Sequence, residues 1–367
     1  MSEMPGTFVA KVSSGDSRTD ARESFSFIHG RWLVHNRRLK DALSKPEEWV
    51  EFDASLVCVP VLNGLGNVDE MRCGDGRLIG SALRTYDIAS GSWSDYWIAA
   101  HDGVLTEPLR GVFDNGIGEF QGTDICRGKR VLVRYVWTDL ASRPRWEQAY
   151  SADEGKTWQI NWIMTYERLP EPGLLPWPTD WTLPARNLHA VRSRSDGVTV
   201  AAQHPSADEN FSFLYGRWRV HNRKLVEPLS GRDAWREFEA SSSSVPLLNG
   251  MANLDEMREA DGTLMGIALR TFDLRRRTWS IYWVAGRDGL LQPPVQGRFD
   301  GNVGTFTGPD SYNGRSILVR YTWHRDSRDR LRWEQAFARD NGRAWETNWF
   351  MRFERADDQA VLPWDFA

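Results

Sequence analysis

Apolar and polar residues alternate along much of the chain, most plainly in WQINWIMTYE, residues 158–167. Trp158, Ile160, Trp162, Met164 and Tyr166 share one face of an extended strand. Gln159, Asn161, Thr165 and Glu167 share the other, with Ile163 the exception. Charge marks the second face as solvent, so the spacing predicts tryptophans, Trp158 included, that point inward. The same period runs through KRVLVRYVWT, LIGSALRTYD, SWSDYWIA and WVEFDASLVCV. Turn signals punctuate these runs at Gly64 and Gly66, Asp75-Gly76, Ser90-Gly91, Asp102-Gly103, Asn115-Gly116 and Asp153-x-Gly155. Residues 39–48 offer a single weak helix pattern. Strands and turns without helical crossovers predict antiparallel meanders, and closing a meander into a barrel removes its edges.

The pattern is written twice. Trp32, Trp49, Trp93, Trp97 and Trp137 return 186 residues later as Trp218, Trp235, Trp279, Trp283 and Trp323. Trp146, Trp158, Trp162 and Trp177 return 187 residues later as Trp333, Trp345, Trp349 and Trp364. Of the 19 tryptophans only Trp181 lacks a mate, so the chain is a tandem duplication with one inserted residue. A period this long is a whole domain, not a solenoid or propeller unit. The expected layout is a disordered tail over 1–24, a first barrel over 25–177, a linker over 178–210 and a second barrel over 211–364. The predicted fold is all-β: two tandem antiparallel meander barrels of roughly nine or ten strands each, packed as an internal pseudo-dimer. The repeated LLPW and VLPW tails, ending at Trp177 and Trp364, are expected to dock on their barrels.

Composition narrows the function classes. A net charge of -4 supplies no basic footprint for nucleic acid or an anionic membrane. The longest apolar run, SLVCVPVL, is too short to span a bilayer. The first residues lack the apolar core of a signal peptide. Cys58, Cys73 and Cys126 face Ser244, Glu259 and Tyr312 in the second copy. A disulfide or zinc site needed by the fold would appear in both, so a reducing, cytoplasmic setting is expected.

SADEGKTW, residues 151–158, matches the Asp-box hairpin of sialidase propellers, and ARDNGRAW, residues 338–345, is its decayed twin. A propeller needs one box in each of several blades, whereas this chain has one per copy. The box is therefore a hairpin corner: Asp153 accepts from its own turn and Gly155 supplies positive φ. No phosphate-binding loop, Cys-x-x-Cys, His-x-x-x-His or Gly-x-Ser-x-Gly elbow is present.

Candidate chemistry rests on residues shared by both copies. His35 and His221, each in Val-His-Asn-Arg, are the only matched histidines. With Glu147 and Glu334 they are the candidate general acids or bases; haem ligation is another use of a histidine, and a hydrogen-bonded strand histidine is the simpler reading. Trp97, Trp162, Trp283 and Trp349, with Arg84, Arg134, Arg270 and Arg320, are the candidate ligand-binding set. Each has a structural alternative: tryptophans that fill the barrel, and arginines paired across strands.

Taken together, F-x-F-x-x-G-x-W-x-V-H-N-R-x-L, L-x-G-x-x-N-x-D-E, A-L-R-x-x-D and W-E-Q-A followed by the Asp-box resemble a family of bacterial proteins of unassigned function with a calycin-like barrel. The likeness covers nearly all of both copies. The second copy departs at Ala338, Ala344 and Arg275-Arg276-Arg277, where the first has Ala89-Ser90-Gly91, so that turn is expected to differ. The resemblance implies a lipocalin- or fatty-acid-binding-like barrel with a central cavity, and it transfers no catalytic residue. Carotenoid hydratases and decalin-forming cyclases share the two-barrel architecture but not these motifs. The expected function is binding of a small hydrophobic or aromatic metabolite in an aromatic-lined cavity. Cofactor-independent cyclisation, isomerisation or hydration would follow there; the alternative is a carrier or sensor without turnover. No cofactor, metal, nucleic acid or membrane is expected, and the chain would be monomeric or homodimeric.

Overall fold

In the computed structural model, residues 21–170, 205 and 210–356 are described. The first copy forms strands Gly30–Leu39 (β1), Trp49–Val61 (β2), Gly66–Cys73 (β3), Leu78–Asp87 (β4), Ser92–Ala99 (β5), Leu109–Asp114 (β6), Ile117–Cys126 (β7), Lys129–Thr138 (β8), Arg145–Ser151 (β9) and Gln159–Arg168 (β10). Each pairs antiparallel with its sequence neighbours, and β1 closes the circle on β10 with Val34 opposite Tyr166. The second copy repeats this as Gly216–Leu225 (β11), Trp235–Leu247 (β12), Ala252–Glu259 (β13), Leu264–Asp273 (β14), Thr278–Ala285 (β15), Val295–Asp300 (β16), Val303–Tyr312 (β17), Arg315–Arg325 (β18), Arg330–Ala338 (β19) and Glu346–Arg355 (β20). Two closed ten-stranded meander barrels in tandem are thus the fold. A short 3₁₀ turn at Ala21–Glu23 already precedes the first barrel. The interdomain segment and both Leu-Pro-Trp tails lie outside the described residues.

Three local expectations are corrected. Residues 40–48 are a loop, not a helix: Leu43 takes a left-handed φ of 59°, and its N–H donates to Gln159 Oε1 at 2.6 Å. The Arg275-Arg276-Arg277 turn does not differ from its mate. Arg277 adopts φ 52° where Gly91 has 66°, and each N–H returns to the carbonyl of the aspartate four residues earlier. The third correction concerns β10, where pairing with β9 skips from Ile160 to Trp162. That bulge carries Asn161 inward, 3% exposed, and leaves Ile160 outside at 38%. Beyond it Trp162, Met164 and Tyr166 face the core as predicted, but Trp158, before it, lies on the outer wall.

The barrels join through the outer faces of β2–β5 and β12–β15. Val68, Leu83 and Ile98 share one apolar cluster with Leu254, Leu269 and Val284. This is why LIGSALRTYD is buried almost throughout rather than on one face. Polar contacts at the seam are reciprocal. Arg72 donates to Asn249 Oδ1 at 3.0 Å, and Arg258 donates to Asn63 Oδ1 at 2.7 Å. Glu70 Oε2 accepts the Leu248 N–H at 2.8 Å, as Glu256 accepts that of Leu62. Gly103 and Gly289 lie at the same seam: an added Cβ would fall 2.0 Å from the Phe272 carbonyl oxygen or 1.9 Å from that of Tyr86. Reciprocity of this kind is what a two-fold interface requires, here inside one chain.

Candidate functional site

Side chains at Trp32, Val34 and Asn36 are buried and those between them are not, which sets the parity of β1. One end of the first barrel is stoppered. The 3₁₀ turn Ser26–Ile28 drives Phe25 inside, with ring centroids 4.9 Å from Trp93, 4.7 Å from Phe113 and 5.6 Å from Phe120. Trp32 Nε1 ties the plug down by donating to the Ile28 carbonyl at 2.7 Å. Phe211 repeats the plug in the second barrel, 5.0 Å from both Trp279 and Phe299.

The opposite end is lined by aromatic rings. Trp162 meets Trp97 edge-on at 6.4 Å and Trp146 at 5.6 Å, and Tyr135 lies 4.7 Å from Trp146. Trp162 Nε1 donates to Asn36 Oδ1 at 2.9 Å, and Gln148 donates to the bulge residue Asn161 at 2.7 Å. Gly80 lets the Trp97 ring lie flat on β4; an added Cβ would stand 2.2 Å from it. Trp97 and Tyr135 are only half-buried although both point into the barrel. Burial nevertheless raises the Tyr135 hydroxyl well above the usual phenol range. Accessible aromatic surface inside a closed wall is what an apolar ligand needs. The second barrel keeps the set: Tyr321 is 4.9 Å from Trp333, Trp333 is 5.5 Å from Trp349, and Trp283 rests on Gly266.

Between the plug and these rings sits a buried charge cluster. Arg84 donates to Asp69 at 2.7 Å, to Asn67 at 3.0 Å and through Nε to Asp95 at 3.2 Å. Burial pushes the Asp95 carboxyl up to about 6 against the opposing pull of Arg84. Arg270 repeats the bonds to Asp255 and Asn253, at 2.7 and 2.9 Å. Ile281 replaces Asp95 there, and Arg270 Nε is buried without a partner. Arg84 and Arg270 are therefore interior residues.

The remaining candidates are on the outer walls. His35 Nδ1 donates to Asp53 Oδ1 at 2.6 Å and His221 Nδ1 to Glu239 Oε1 at 2.6 Å, with side chains 39% and 43% exposed. Glu147 pairs with Arg145, and Glu334 lies 3.8 Å from His324. Arg134 and Arg320 stack outside on the Asp-box tryptophans Trp158 and Trp345, at 4.8 and 4.3 Å. The box itself is a self-contained corner: Thr157 Oγ1 and N–H both donate to Asp153, at 2.6 and 2.9 Å, and Gly155 has φ 87°. His221 and Glu334 do share a depression of about 460 Å³ on the second barrel, lined also by Arg223, Arg332 and Phe350. Asp95 and Tyr135 are not among the residues that the sequence singles out. Parity held the signal, since Asp95 alternates with Trp93 and Trp97, and Tyr135 with Val133 and Trp137.

Among the described residues no group of three or more His, Cys, Asp or Glu is placed to hold a metal, and no helix is long and apolar enough to cross a membrane. The sequence matches no known protein family and no curated protein. Among solved structures, a DUF3598-family protein of unknown function from Nostoc punctiforme aligns over 92% of this chain and 100% of its own, at 11% identity and TM-score 0.28. A transferrin-binding protein B mutant from Haemophilus parasuis aligns over 88% of this chain and 75% of its own, at 8% identity and TM-score 0.20. Likenesses this weak carry no weight for function.

Proposed function

We propose that each barrel receives a small aromatic or otherwise apolar molecule at the end opposite its phenylalanine plug. The observation that carries this reading is the pair of half-buried interior rings, Trp97 and Tyr135, beside Trp146 and Trp162. A packed core would hide such rings completely. The chain then acts as a carrier or sensor, with the arginine cluster fixing the depth of the chamber. A naphthalene-sized ligand at roughly 0.5 kcal/mol per heavy atom would bind with Kd on the order of 100 µM.

A second reading, cofactor-independent isomerisation, cyclisation or hydration, is supported by Asp95 alone. A carboxyl near 6 inside an apolar barrel is suited to moving a proton at neutral pH, and only the first barrel has it. His35, His221, Glu147 and Glu334 face away from this space. Titration with 2-naphthol while tryptophan fluorescence is recorded tests the binding reading. Saturable quenching that weakens at least about fivefold in the Trp97→Ala, Trp283→Ala double variant is expected. Quenching that is linear, or equal in the two proteins, would count against it.

A further inference from the structure

The two barrels differ at their aromatic ends. In the first barrel the positions around the rim of β1–β3 and the β5–β6 loop are Arg38, Val50, Cys73 and His101. Their mates in the second barrel are Lys224, Arg236, Glu259 and Arg287. Lys224 sits on the inward parity of β11 with Trp218, Val220 and Asn222, directly across from Arg236 on one side and Trp349 on the other. Its Nζ lies 3.7 Å from the centre of the Trp349 ring. The nearby carboxylate, Glu259, is already bound by Arg236 at 2.8 Å. Among the described residues, then, the Lys224 amine has an aromatic face below it, two guanidinium groups near it and no ion pair of its own.

We propose that Lys224 is an imine-forming amine, which captures the aldehyde or ketone of an aromatic molecule seated on Trp349. The proposal rests on the chamber reading above. In the step, the neutral Nζ attacks the carbonyl carbon and a C–N bond forms. Nitrogen gives up both of its hydrogens, the carbonyl oxygen leaves with them as water, and a C=N bond remains. Nothing is oxidised or reduced. An amine is made nucleophilic by an apolar surround or a neighbouring cation, because either disfavours the ammonium. Both act here. Burial first, then the charges of Arg287 and Arg236, bring the Lys224 amine down to about 8, with Glu259 opposing. At pH 7.5 that leaves about a quarter of the amine neutral, against about a thousandth for an ordinary lysine. The first barrel cannot do this, since Arg38 stacks on Trp162 at 4.5 Å and a guanidinium does not form imines.

The test is direct because Lys224 is the only lysine after Lys156. The full chain is incubated at pH 7.5 with 2-naphthaldehyde and cyanoborohydride, which reduces any imine to a stable amine, and modified sites are mapped by peptide mass spectrometry. Lys224 should label at least about tenfold faster than Lys129 or Lys156, with half-maximal rate near pH 8. Lys224→Arg installs the residue the first barrel already uses, so it should fold normally and lose this label alone. Uniform labelling across the lysines overturns the proposal. 2-Naphthylmethanol, which cannot form an imine, separates the two readings. If it quenches tryptophan fluorescence saturably while Lys224 is unreactive, the chamber stands and the imine site falls; if it does not bind, both fall.

Discussion

Asp95 sits in the core of the first barrel at a position where the second barrel has isoleucine, and the structure makes its replacement a quantitative experiment. Its carboxyl is 5% exposed and raised from 3.8 to about 6, chiefly by burial. A carboxyl raised in this way binds its proton more tightly folded than unfolded. Its contribution is most favourable below pH 4 and is lost as pH rises through 6. By pH 7 the native state is disfavoured by about 3 kcal/mol relative to a group without the shift. Asp95→Asn removes that dependence. Below pH 5 the folded carboxyl is protonated and neutral, so the Asn amide oxygen exchanges one neutral acceptor of Arg84 Nε for another. Arg84 keeps Asp69 at 2.7 Å, so its charge is not left alone. The variant should therefore lie within about 1 kcal/mol of the parent at pH 4 and be about 2–3 kcal/mol more stable at pH 7.5, the difference growing as pH rises from 4 to 6. Urea unfolding followed by tryptophan fluorescence at the two pH values measures this. A difference that does not vary with pH, or a variant weaker at pH 7.5, would refute the assignment of Asp95 as a desolvated carboxyl.

Three further outcomes follow from the same geometry. His29, lowered to about 4 by burial and by Arg84 and Arg168, favours the fold above pH 6.5 and loses that contribution as pH falls through 4. His29→Tyr, which installs the Tyr215 of the second copy, should add about 2 kcal/mol at pH 4 and change stability little at pH 7.5 in the same urea titration. Glu70→Ala strips the acceptor from the buried Leu248 N–H and from Arg72 at the seam, and should cost about 2–3 kcal/mol in urea unfolding. His35→Ala and His221→Ala remove exposed groups on the outer wall. Stability should move by less than about 1 kcal/mol, and 2-naphthol quenching should be unchanged; loss of quenching would mean that the outer wall takes part in binding.

Strand content, the duplication and barrel closure were all legible because period two and the 186-residue echo are properties of the sequence itself. Parity was legible only until a bulge interrupted it. Nothing in WQINWIMTYE marks Asn161 as the extra residue, so alternation alone puts Trp158 on the wrong face. The arginines show a different limit. Arg84 and Arg134 recur equally well in both copies, yet one is a core cation and the other a cover for an Asp-box tryptophan. Recurrence reports that a residue serves the fold, not which side of the wall it serves. The histidines were readable in principle, since His35 lies between Val34 and Asn36, both buried. Burial on both faces of β4 was not readable, because the second barrel covers the outer one.

The central claim is that the aromatic end of each barrel is a receptive chamber, and native mass spectrometry of the full chain with 2-naphthol in excess tests it most directly. Binding should saturate at two molecules per chain, one per barrel, falling to one when Gly80→Val forces the Trp97 ring into the first chamber. No retained ligand at any concentration, or the same stoichiometry in that variant, would contradict it.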